Sequence, residues 1–161
     1  MSPFLKDNKG ANLDPWILLF KTILDRQIPE ALESPTEDQD EIEKRDKHII
    51  WKTKSVASKT TYRLYSRYGN PKFADTEDEV FSQAFYEKYA VLLLESHLSI
   101  LLKRKTNFVG SKTLNFALKY VSQSTKLPLT MEKLKPFVDR ILYDTLVSPI
   151  MLTSHKDIIT Y

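Results

Sequence analysis

Apolar residues in this chain recur at steps of three and four, the spacing that puts them on one side of an α-helix, and no segment alternates strictly as a half-buried strand would. Leu13, Trp16, Ile17, Phe20, Ile23 and Leu24 mark a first helix, which Asn12 can cap and which ends near Arg26, before Pro29. A second helix spans about His48 to Tyr68. At about 100° per residue, Ile50, Ala57, Thr61, Leu64 and Tyr68 share one face, and Lys52, Lys59, Arg63 and Arg67 share the opposite one. This helix therefore packs along one side and shows cations on the other. Gly69 is expected to supply the left-handed residue that ends it, and Asn70-Pro71 forbids continuation.

From Asp78 the same spacing links Phe81, Ala84, Phe85, Val91, Leu94, Leu98, Leu101 and Leu102, as far as Lys105. An unbroken helix of that length would reach about 40 Å, so a break is expected near Tyr89. Ser111 is placed to cap a helix carrying Leu114, Ala117, Leu118 and Val121, stopped by Leu127-Pro128. Thr130 is placed to cap the next, with Leu134, Val138, Ile141 and Leu142 inward, a kink at Lys135-Pro136 and an end near Ser148; a further helix is expected from Ser154. Between the first two helices, residues 30–46 contain Pro35 and no periodic apolar face, and read as a long exposed loop. The class is all-α. Helix pairs joined by short turns suit either a compact bundle or a solenoid, and spacing alone does not choose.

The 161 residues suffice for a real core, and 42% hydrophobic with 28% charged residues describes an ordinary soluble protein. Three glycines and no cysteine point away from turn-rich sandwiches, disulfide scaffolds and Cys-ligated zinc. Charge is uneven: residues 30–46 hold eight acids and two bases, a local −6, so the remainder carries +9 against the whole-chain +3. A basic body could favour anionic partners, although helices with solvated Lys and Arg give the same count. The longest apolar run, Tyr89 to Leu94, is far short of the roughly 20 residues that span a bilayer, and the first residues lack the apolar core of a signal peptide. Neither membrane insertion nor secretion is expected; the chain reads as soluble and intracellular.

Candidate chemistry is sparse. His48, His97 and His155 stand alone without metal-ligand spacing, and there is no Gly-rich phosphate loop, nucleophile elbow or cysteine. His97, on a largely apolar helix, reads as a packed residue. No enzymatic activity, catalytic residue, metal or cofactor is expected. Trp51, Tyr62, Tyr65 and Tyr68 interleave with cations as in single-strand nucleic-acid binders, but aromatics in a helix with two neighbours are normally core, so no direct nucleic-acid binding is expected. Glu37, Asp38, Asp40, Glu41 and Glu43 could present flexible negative charge to a basic partner.

Two stretches carry a resemblance. Trp51-Lys52, Lys54 and the close Arg67-Tyr68-Gly69 with Pro71 form one; Leu134-Lys135-Pro136 with Ile141, Asp144, Pro149, Ile150 and Met151 form the other. Both resemble the importin-β superfamily of nuclear transport receptors, specifically the importin seven and eight type in its fungal form. The resemblance implies an armadillo-like superhelix of antiparallel helix pairs, a HEAT-repeat α-solenoid. Residues 1–161 would be one interior segment of about three to four pairs, with an acidic loop at 29–47. It further implies basic cargo proteins, Ran GTPase and Phe-Gly nucleoporins as partners, and shuttling between cytoplasm and nucleus through the pore. The acidic loop would be a cargo site, and the grooves flanking Phe81, Phe85 and Leu92 would be places for Phe-Gly contacts. Trp51, Lys52, Lys54, Arg67, Tyr68, Gly69 and Pro71 would be packing and capping residues. The competing readings are a self-contained helical adaptor and, less well supported, a nucleic-acid binder.

Overall fold

A computed structural model describes residues 13–76 and 78–146. The order is α1 (Asp14–Asp25), α2 (Glu30–Glu33), α3 (Gln39–Asp46), α4 (Ile49–Tyr68), a 3-10 turn at Pro71–Phe73 and α5 (Glu79–Ala84). After α5 come a π-turn at Phe85–Tyr89, α6 (Ala90–Lys103), α7 (Ser111–Ser124), α8 (Pro128–Leu134), a 3-10 turn at Lys135–Phe137 and α9 (Val138–Leu146). No strand occurs among the described residues. The expected break near Tyr89 is this π-turn, which realigns the apolar stripe between α5 and α6. The kink at Pro136 is the 3-10 turn, since proline cannot donate the helical bond. Asn12, Ser148 and the helix expected from Ser154 lie outside the described residues, as do Pro149, Ile150 and Met151.

Side-chain pairings fix how the helices run. Tyr89 on Asp14 and Lys21 on Ser96 are both separated by 75 residues, so α1 and α6 are parallel. Tyr62 meets Phe116 and Tyr65 meets Tyr120, so α4 and α7 are parallel as well. Tyr65 on Phe85 and Ser58 on His97 run in opposite senses, which makes α4 antiparallel to α6. The result is two stacked antiparallel pairs, α1 with α4 and α6 with α7, as in a HEAT-type solenoid. Tyr86 accepting from the Leu129 amide, and Lys105 over the Tyr143 ring, set α8 and α9 alongside α6 in the first layer. The helices α8 and α9 follow these two pairs.

The core lies between the layers. Ile17, Leu24, Tyr65, Phe85, Leu93, Leu94, Tyr120 and Leu134 are almost wholly buried there. Polar groups within it are satisfied: Tyr65 donates to Thr130 at 2.7 Å, Thr130 donates to the Ser124 carbonyl at 2.8 Å, and Tyr120 donates to the Ala90 carbonyl at 2.9 Å. Thr130 is thus a buried link inside α8, with Leu127 at the cap position, rather than the expected cap. Trp16 is half exposed instead of inward, because α1 has α4 and α6 on one side only among the described residues. Leu142 is half exposed too, as one side of α9 faces outward.

Two expectations about helix ends change. Gly69 has φ −72° and is right-handed, so it is not a left-handed terminator. Glycine is needed there for room: a Cβ would lie 2.1 Å from the Tyr65 ring. Residues 30–46 are not an extended loop, because α2 and α3 form within them. Asp38 caps α3 by accepting from the Asp40 amide at 3.0 Å, and i,i+4 pairs Glu41–Arg45 and Glu43–Lys47 support it.

Candidate functional site

Trp51, in the first turn of α4, lies where both pairs and residues 30–46 meet. Its indole donates to the Leu32 carbonyl at 3.3 Å, and its ring stands edge-on to Phe108 at 5.6 Å. A Cβ on Gly110 would come within 2.9 Å of it. Lys54, one turn on, is buried and donates to the Leu24 carbonyl at 2.5 Å, answering the electron-rich end of α1. Burial lowers its pKa from 10.5 to about 8, with Lys103 adding to the effect and Asp25 and Glu33 opposing it. It borders a cavity of about 130 Å³ shared with Trp51, Glu33 and Lys103. Tyr68 is buried edge-on to Phe81, Arg67 lies exposed over the Tyr68 ring, Lys52 is exposed, and Pro71 opens the 3-10 turn. Among the family-pattern residues, Trp51, Lys54, Tyr68, Gly69 and Pro71 thus pack or terminate helices, while Lys52 and Arg67 face outward.

Three of the five candidate acidic residues are engaged within the chain. Arg45 is buried, donates to the Ser34 carbonyl at 2.6 Å and to Glu41 at 3.0 Å, and lies over Phe108. The Phe108 amide donates to the Glu33 carbonyl at 2.7 Å, so α2 and α3 clasp the turn between α6 and α7. Asp38 is spent as a cap, Glu41 on Arg45 and Glu43 on Lys47, at 2.5 Å. That leaves Glu37 and Asp40 as exposed carboxylates with no side-chain bond among the described contacts.

Of the residues expected to flank a Phe-Gly groove, Phe85 is buried and Phe81 and Leu92 are half-buried. Phe85 is fully buried between Tyr65 and Tyr89, Phe81 packs on Tyr68, and Leu92 is half-buried against the core. An open groove of about 490 Å³ lies elsewhere, between α6 and the α8–α9 helix. Leu94, Leu98, Leu102 and Phe137 form its floor, and Lys133 and Arg140 line it too. Helical periodicity marks the three leucines; Phe137 follows the kinking Pro136 and carries no such signal.

His97 is a core residue. Its Nδ1 lies 2.7 Å from the Leu93 carbonyl and its Nε2 3.0 Å from Ser58 Oγ, and the ring stacks on Tyr120 at 4.2 Å. Burial lowers its pKa from 6.5 to about 4. Among the described residues no cluster of His, Asp and Glu could hold a metal ion, and no helix is long and apolar enough to cross a membrane.

Comparison with known proteins adds sequence relatives. Importin-8 of Homo sapiens is 32% identical over 135 residues, covering 83% of this chain and 12% of the relative. Importin-8 of Mus musculus is 31% identical over 135 residues, with 83% and 13% covered. An importin beta-like SAD2 homolog of Arabidopsis thaliana is 31% identical over 143 residues, with 88% and 13% covered. The chain therefore spans only 12 to 13% of the length of these curated relatives. No protein-family model matches it, and no solved structure matches significantly.

Proposed function

The chain belongs to the importin-β family through homology to a segment of its members, and on that premise we propose that it serves as part of a nuclear import receptor. The observation that carries this reading is the 32% identity to importin-8 across 83% of the chain. In it, a phenylalanine of a Phe-Gly nucleoporin lodges in the groove between α6 and α8–α9, where Leu98, Leu102 and Phe137 offer apolar contact. Glu37, just before α3, and Asp40, in its first turn, attract basic cargo. Ran in its GTP form drives cargo release, and the protein shuttles between cytoplasm and nucleus. No chemistry is assigned to it.

The test is binding of a fluorescent Phe-Gly repeat peptide, followed by anisotropy. Apolar docking predicts affinity that changes little as salt rises, and loss of about tenfold in Phe137→Ser. Phe137 is 37% exposed, so a melting curve should show the variant folded. Peptide binding that Phe137→Ser leaves unchanged would remove the groove from this role.

A further inference from the structure

Neither α4 nor α7 contains a single Asp or Glu, and the fold sets the two side by side in parallel. On α4, burial of Trp51, Ala57, Ser58, Thr61 and Tyr65 turns exposed Lys52, Arg63 and Arg67 and half-buried Lys59 to the opposite side. On α7, burial of Thr113, Ala117 and Tyr120 turns Lys112 and Lys119 outward. The half-buried pair Tyr62–Phe116, with ring centres 6.2 Å apart, marks the seam between the helices. Lys119 lies over the Phe116 ring, which brings its charge to that seam. Lys52 and Lys59, and again Lys112 and Lys119, are seven residues apart, or about 10 Å along each axis at the helical rise.

An ordinary solvated face mixes signs, as the faces of α1 and α3 do here. Lys21 pairs with Asp25, Lys88 with Asp14, Lys47 with Glu43 and Arg45 with Glu41. Among the described residues, none of these six cations on α4 and α7 has an ion pair. Asp46, the acid beside the start of α7, is already engaged by Ser111. A one-sign face of this kind opposes its own assembly unless something neutralises it.

We propose that this two-helix face docks an acidic protein segment, one in which Asp and Glu alternate with apolar side chains. The acids would meet the two cation rows. Val56, 61% exposed among those cations, supplies an apolar contact that a phosphate backbone would not use. Tyr62 and Phe116 lean on each other and are half-buried, so they do not offer open ring faces for stacking bases. The proposal does not rest on the transport reading: it needs only the geometry of α4 and α7.

The test uses the whole chain and a labelled 20-residue peptide of alternating Asp/Glu and Leu, with a single-stranded oligonucleotide of equal charge as rival. The expected result is peptide binding that weakens steeply with salt. The triple variant Lys59→Glu, Arg63→Glu, Lys119→Glu should weaken it by at least about tenfold. Lys72→Glu with Lys135→Glu, two exposed cations elsewhere, should leave it unchanged. A circular dichroism melt confirms that each variant is folded; should the triple reversal fail to fold, the matching Gln variant takes its place, with a smaller loss expected. Equal loss in the control, no peptide binding, or tighter binding of the oligonucleotide would overturn the proposal.

Discussion

The carboxylate of Asp46, last residue of α3, closes over the first turn of α7, accepting from the Ser111 amide at 2.8 Å and from the Ser111 hydroxyl at 2.5 Å. The sequence marks Ser111 as the cap of its own helix; instead Gly110 holds the cap position without a side chain, and the oxygen comes from a residue 65 positions away. An anion at a helix start also meets the positive end of the helix dipole. Asp46→Ala is therefore expected to cost about 1 kcal/mol of stability. Ser111→Ala should cost less, since the amide keeps its partner. Urea unfolding of the two variants compares them; an Asp46→Ala midpoint equal to that of the parent would contradict the cap.

Trp51→Ala should cost about 3 to 5 kcal/mol, because the ring is buried at 4% exposure and the change leaves a cavity at the junction of both helix pairs. A loss below about 1 kcal/mol would show that the site collapses without it.

Gly69 offers a sharper discrimination. Were it a left-handed terminator, Asn would be tolerated nearly as well as Gly. With φ at −72° and Tyr65 in the way, Gly69→Asn and Gly69→Ala should both destabilise, by about 1 to 3 kcal/mol. Thermal melts of the pair decide it, and an intact Asn variant would restore the terminator reading.

Arg45→Ala removes the group that ties α3 to the Ser34 carbonyl and to Phe108. The expected loss is about 2 to 4 kcal/mol, with faster amide exchange confined to α2, α3 and the turn near Phe108. Glu37→Lys with Asp40→Lys, both on exposed carboxylates, should leave the melt in place and weaken capture of a basic peptide.

His97 makes stability depend on pH in a defined window. Its folded pKa is lowered from 6.5 to about 4, so the unfolded chain binds the proton more readily. Stability is full above about pH 6.5, falls as pH drops towards 4, and loses on the order of 3 kcal/mol from this one group. In His97→Gln the slope between those limits should shrink; an unchanged slope would assign it to other groups.

How much of this was legible in the sequence differs between helices and their encounters. The apolar spacing of Ile17, Phe20 and Leu24, of Ala57, Thr61 and Tyr68, and of Leu94, Leu98 and Leu101 placed α1, α4 and α6 correctly. Pro71 and Pro136 were read rightly as interruptions. The helices within residues 30–46 leave no apolar stripe in the sequence, because they are supported by caps and charge pairs and by Arg45 reaching Ser34. Lys54 gave no sign of being buried, since a lysine between cations looks solvated until the end of α1 is docked against it.

By itself the sequence determined the all-helical class, the positions of the apolar-striped helices and the family, since periodicity, helix breakers and residue likeness are properties of the chain read along its length. Only the tertiary structure decided that Asp46 caps α7, that Phe85 is core while Phe137 lines a groove, and that the cations of α4 and α7 share one face. Those outcomes depend on the relative shift and rotation of helices tens of residues apart. That registration is set by how buried side chains such as Tyr65, Tyr120 and His97 fit one another, and local sequence carries no record of the fit.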